Sequence, residues 1–314
     1  MQTFSYRKEN RSDPVVKLIT LLKNRNFIVI LAVIGGMLIH QGALWTRHLI
    51  LALLFVIITL SIMAIDGHIF KAPRDVILPA LLGILMNYAI LGNLIILMSA
   101  FLIHDESAWI GFVTLAAVPS AVVIIPLTRI LNGNATYAVI GTIGVYIGAL
   151  VIMPLIVLGL LDIHLLDTTK LFTITTVLIA LPIAVSRILV RTGLNNRINP
   201  FKGQIMNWSF FLITYTLIGA NRETIMTQPL SLVPMAVIAF LSTFFLGFLI
   251  QWIGGLFHVN KSNLTVLFLL GTLKNYGLAG GLAFYLFSRE AALPAVVLTI
   301  FMTIYVTWLD FKTQ

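Results

Sequence analysis

The sequence predicts an all-α membrane protein of ten transmembrane helices, and three observations carry that prediction. Of its 314 residues, 59% are hydrophobic and only 10% are charged, whereas a soluble domain carries about 25% charged residues. The apolar residues gather in runs of about 20, the length a helix needs to cross a hydrocarbon core of about 30 Å. The basic residues fall unequally on alternate sides of those runs, as the positive-inside rule requires. The net charge of +9 lies between apolar runs, so the expected partner surface is the lipid bilayer and not nucleic acid. With no cysteine in the chain, disulfides, thiolate nucleophiles and thiolate metal sites are excluded.

Residues 1–26 are polar and basic and read as a cytoplasmic N-terminal segment with no cleavable signal peptide. Within them, the stretch from Pro14 to Arg25 is apolar on one side and basic on the other. It reads either as an amphipathic helix on the leaflet or as a simple anchor before the first span. Ten apolar segments follow, at 27–42, 47–65, 76–103, 107–131, 135–160, 168–188, 204–221, 231–257, 263–287 and 290–309. With the N-terminus in the cytoplasm, fifteen Lys and Arg residues lie inside and four outside (Arg47, Lys170, Arg222, Arg289). Both termini are then cytoplasmic, and the expected location is the cell (inner) membrane. The acidic outer loop at 161–169 divides the chain into a first repeat, 27–160, and a second, 161–314. Five spans per half force opposite orientations, the inverted-repeat plan of many secondary transporters.

The fourth span of each half is interrupted. Span 4 holds Pro119 and Pro126, and span 9 holds Gly271, Gly277, Gly280 and Gly281. Proline removes a backbone donor and glycine accepts bent backbone. Interrupted segments at corresponding places in two halves point to a transporter's binding site. The expectation is that both helices break and cross near the midplane.

Lys274 is the one Lys or Arg left outside that fifteen-to-four count and sits inside span 9. Eleven residues past Asn263, at about 1.5 Å each, place it about 16 Å deep, where a lysine costs roughly 3 kcal/mol on insertion scales. Three readings are open. Its ammonium replaces a bound cation against free carbonyls at the end of its own half-helix, where an anionic substrate could also pair with it. It exchanges a proton between conformations. Or it is structural, with its stem reaching toward the interface. Asn87 and Asn275 either bind substrate or bond a free carbonyl at a break. Ser120, Thr128 and Thr272 are expected to bond back within their own helices, and Gly35–Gly36 and Gly280–Gly281 to serve close packing.

Three stretches resemble the bile acid:sodium symporter (BASS) family: Ile58–Asp66 with Phe70–Arg74, Val118–Asn134 running on to Met153–Leu155, and Lys274–Ala279 with Ala291–Pro294. The resemblance covers about residues 45–310. It implies a panel domain of spans 1, 2, 6 and 7, a core domain of spans 3–5 and 8–10 with spans 4 and 9 broken and crossed, and alternating access. It also implies two sodium sites, and here the chain departs. The family's Ser-Asn pair in span 4 reads Ile124 and Ile125, its span 9 glutamate reads Leu270, a following glutamine reads Lys274, and a span 5 hydroxyl reads Ala138. Asn87 and Thr142 remain. The expected function is secondary active transport of a small organic anion, not sodium-coupled, with Lys274 replacing the cation or acting in proton coupling. The alternatives are a sodium-coupled symporter with altered sites, or a non-transporting sensor or uniporter on the same fold. No base, nucleophile or metal-ligand constellation points to an enzyme, a metal or a cofactor.

Overall fold

A computed structural model describes residues 25–63, 73–121, 123–161 and 168–313. The segment 1–24, the motif around Asp66 to Lys71 and residues 162–167, expected to form the outer loop, lie outside the described residues. Within them the chain is all-helical; its one extended pairing is a bridge between Ser120 and Lys274.

Helix α1 (Arg25–Leu38) leads through short turns at 40–49 into α2 (Ile50–Met63). Helix α3 (Pro73–Ile84) continues through a π-helical stretch (Leu85–Gly92) into α4 (Asn93–Leu102). Next come α5 (Glu106–Ala117), α6 (Ile124–Ile130) and α7 (Ala135–Leu160), followed by α8 (Thr168–Arg191) and α9 (Leu194–Ala220). Helix α10 (Leu232–Phe240) runs through a second π-helical stretch (Leu241–Phe245) into α11 (Leu246–Leu256). The chain ends in α12 (Lys261–Leu270), α13 (Tyr276–Leu286) and α14 (Leu293–Thr313). Six of these helical runs are long and apolar enough to cross a membrane: 40–63, 76–102, 135–160, 172–191, 229–256 and 290–312.

Local chemistry sets the starts of several helices. The side chains of Asp105, Asn134 and Asn275 each accept from a backbone N–H three residues on, at 2.7, 3.0 and 3.1 Å. Each satisfies one of the four donors that a helix start leaves unpaired. Asn260 does the same for α12 through Ser262 N at 2.9 Å.

Packing then orders the helices. Helix α1 lies along α9, α2 along α8 and α9, α3 along α7, and α10 along α14. The glycine pairs permit the close approaches expected of them. A Cβ on Gly36 would stand 2.9 Å from Tyr215 O on α9, and one on Gly281 would stand 2.6 Å from Leu54 on α2. The buried core runs through Ile50, Leu54, Phe112, Leu115, Leu270 and Leu298. The outer faces carry exposed Leu78, Phe101, Leu155, Phe240, Phe248 and Phe311, an apolar periphery suited to acyl chains and not to water.

Candidate functional site

Two breaks in the helical chain define the site. One separates α5 from α6 and includes residues 118–121 and 123, and the other separates α12 from α13 over residues 271–275. Of the two prolines in the first segment, Pro119 stands in the break itself. Pro126 sits in the first turn of α6, where its missing N–H is one that the helix would not use. The breaks pair antiparallel: Ala121 N donates to Leu273 O at 3.1 Å, and Asn275 N donates to Pro119 O at 2.9 Å. This pairing supplies bonds that unwound backbone loses, and residues 117–121 and 268–276 are all buried. Irregular backbone is tolerable at membrane depth only under such cover.

Lys274 is fully buried at the centre of this pairing. Its Nζ donates to Ala116 O at 2.7 Å, to Val118 O at 2.9 Å and to Asn87 Oδ1 at 3.1 Å. It also lies 4.6 Å from the centre of the Tyr88 ring. Three donors thus meet three acceptors, the arrangement of a protonated ammonium; a neutral amine would leave one acceptor unmatched. Bonds to a charged group are worth about 1.5–3 kcal/mol each, enough together to offset an insertion cost of roughly 3 kcal/mol. The partial negative charge at a helix C-terminus and the face of Tyr88 add to this.

One expectation about Lys274 is corrected here. The carbonyls that hold it belong to the end of α5, not to its own half-helix α12, because the antiparallel pairing carries its side chain across to the other break. In this arrangement Ala116, Val118 and Asn87 engage the three donors of Nζ.

Asn87 joins both breaks. Its Oδ1 accepts from Lys274, and its Nδ2 donates to Leu270 O at 3.3 Å, a carbonyl at the C-terminus of α12. Asn87 projects from the first π-helical stretch, a local widening often found at functional positions. Asn275 caps α13, and its Nδ2 donates to Tyr146 OH at 3.2 Å. Of the two roles expected of these asparagines, Asn87 displays the bond to a free carbonyl, whereas Asn275 instead accepts from a backbone N–H and donates to a tyrosine hydroxyl.

Thr272 bonds back to Phe268 O at 2.7 Å and Thr128 to Ile124 O at 2.8 Å, as expected. Ser120 departs from the expectation: it is fully buried and its Oγ has no partner among the described residues. The carbonyl four residues back, on Ala116, is taken by Lys274, and the backbone at 120 is not helical. Thr142, on α7, is likewise buried with an unpartnered Oγ1.

The sequence reading missed Tyr88 and Tyr146. The first adjoins Asn87 in the chain, and the second lies four residues after Thr142, on the same face of α7. It also missed two cavities beside the breaks. A small one of about 20 Å³ touches Lys274, Asn275, Val123 and Phe210. A larger one of about 370 Å³ shares Val123 and Phe210 with it. No protein-family model matches the chain, and no curated protein matches it.

Proposed function

We propose that this chain is a secondary active transporter of a small organic anion that works by alternating access without a bound sodium ion. The observation that carries the reading is the Lys274 ammonium held by the carbonyls of Ala116 and Val118 and by Asn87. A cation covalently attached to the protein stands where two broken helices present free carbonyl ends. Such ends, in discontinuous helices, are where coupled transporters hold their ions.

A ten-span, two-repeat arrangement supports the reading. Helices α5 and α6 have 12 and 7 residues, and α12 and α13 have 10 and 11. At 1.5 Å per residue none reaches across about 30 Å alone, so each pair makes one broken span. The two halves then match: each has a π-helical stretch in its third span and a break in its fourth. Packing obeys the same correspondence. Contact of spans 1 and 7 (α1, α9) maps onto contact of spans 6 and 2 (α8, α2), and contact of spans 3 and 5 (α3, α7) onto that of spans 8 and 10 (α10, α14). Spans 1, 2, 6 and 7 would form the panel domain and spans 3–5 and 8–10 the core domain, in agreement with the BASS resemblance. The fifteen-to-four distribution of basic residues supports cytoplasmic termini in the cell (inner) membrane.

The test is uptake by proteoliposomes of purified protein, screened with organic anions in sodium and in choline buffers. Saturable uptake with counterflow, equal in both buffers, supports the reading. Uptake that needs sodium sinks its coupling part. Ligand binding without uptake sinks transport itself and leaves a sensor.

A further inference from the structure

The larger cavity is formed by three elements distant in sequence: the end of α2, helix α6 with Val123 before it, and the middle of α9. Its polar lining includes Arg129, Lys202 and Ser61, and its apolar lining includes Val123, Met206 and Phe210. On α9, Lys202, Met206 and Phe210 recur every four residues and so share one helical face. Phe210 therefore lies about 12 Å along the helix axis from Lys202. Phe210 and Val123 close that far end, against the small cavity beside Lys274 and Asn275.

We propose that this cavity is an anion-binding vestibule, in which Arg129, Lys202 and Ser61 hold the charged group of an organic anion and Val123, Met206 and Phe210 hold its apolar body. The inference rests on the transporter reading and deepens it. The Lys274 donors are consumed by protein acceptors, so recognition of an anion falls to other cations. Two basic side chains line this cavity and, among the described residues, no carboxylate does. Ser61 gives independent support: it is 3% exposed and its hydroxyl has no partner among the described residues. A buried hydroxyl left unbonded costs about 1–3 kcal/mol, and a ligand oxygen would satisfy it. Lys202 precedes the apolar part of α9, and burial pushes its ammonium below the ordinary lysine value. A bound anion would relieve that uncompensated charge. The volume of about 370 Å³ falls in the range of small-molecule sites, about 300–1,000 Å³.

The experiment is a fluorine NMR titration of the full chain in neutral detergent, with a trifluoromethyl-phenylacetate as probe and the matching benzyl alcohol as its neutral counterpart. The carboxylate is expected to bind and the alcohol not. Arg129→Gln and Lys202→Gln should each weaken the carboxylate about tenfold, the equivalent of one charge-assisted bond. Ser61→Ala should weaken it a few-fold, and Arg129→Lys should restore most of the loss from Arg129→Gln. Equal binding by the Arg129→Gln/Lys202→Gln double variant, or equal binding of the alcohol, overturns the proposal. Two further arms separate sources of negative charge. Inorganic phosphate that binds as well as the carboxylate removes the role of the apolar wall. Phosphatidylglycerol that binds while the carboxylate does not makes this a lipid site. Because the titration needs no transport, binding without uptake sinks the transporter reading and leaves the vestibule standing.

Discussion

Lys274 and Ala116 are 158 residues apart in sequence, yet the ammonium of the first donates to the carbonyl of the second at 2.7 Å. The bond joins one helical break to the other. It puts a fixed positive charge on a helix C-terminus whose last carbonyls would otherwise lie unpaired in apolar surroundings.

Lys274→Ala should abolish uptake and lower thermal stability. It leaves Ala116 O, Val118 O and Asn87 Oδ1 without their donor, and an unsatisfied buried group costs about 1–3 kcal/mol. The gap left by the side chain has oxygen ligands for a small cation, so millimolar ammonium or methylammonium should restore part of the stability. Thermal unfolding with and without ammonium chloride checks this. A Lys274→Ala protein as stable and active as the parent would remove Lys274 from the mechanism.

Transport should be flat across neutral pH as well as indifferent to sodium. Three acceptors around Nζ favour the charged form of the amine, and the forecast rests on their outweighing its burial. Uptake measured along a pH series under clamped membrane potential decides the matter. A steep pH dependence that vanishes in Lys274→Gln would establish proton coupling instead.

Asn87→Leu should destabilise the protein by about 1–3 kcal/mol, because Leu270 O loses its donor and Lys274 loses an acceptor. Asn87→Asp keeps the acceptor and gives the ammonium a counter-charge while removing the donor to Leu270 O. Its loss should be smaller. Denaturation of both variants in the same detergent ranks them; an equal loss would show that the bond to Lys274 is not the important one.

For Asn275, a helix cap and a ligand contact make opposite forecasts. Substitution by Ser or Asp should preserve α13, whereas Ala should cost about 1 kcal/mol. Tyr146→Phe, which removes the hydroxyl that accepts from Asn275, should cost about 1–3 kcal/mol, because the buried Nδ2 loses its acceptor. If Asn275→Asp folds normally but fails to bind the anion, a substrate role would have to be added to the cap.

Phe210→Ala should merge the vestibule with the small cavity at the breaks, since both are walled by Phe210. The expected readout is weaker discrimination between short and long anions in competition uptake. Unchanged selectivity would show that Phe210 is not the partition.

Much of this was legible in the chain because it rests on local chemistry. A lysine in an apolar run, prolines at 119 and 126, and glycines at 271 and 277 announced the two breaks. Asn87 and Asn275 stood out as polar residues at membrane depth. What remained hidden depends on contacts between distant segments. Which break supplies the carbonyls for Lys274 is decided by antiparallel pairing, which no short-range pattern encodes. Ser61, Arg129 and Lys202 meet only because α2, α6 and α9 pack around one space. The π-helical stretches carry no proline, and only Gly92 at the end of the first hints at them.

A diffusible ion would steady the crossing of the two breaks by mass action, in proportion to the logarithm of its concentration over its dissociation constant. A cation on the polypeptide has no such dependence. The crossing is loaded as soon as the chain folds, in dilute or saline surroundings alike. It cannot be emptied by a collapsing gradient. If the chain transports as proposed, the same tether means that no sodium ion leaves with the substrate, and active movement would have to draw on the gradient of another solute exchanged against the anion.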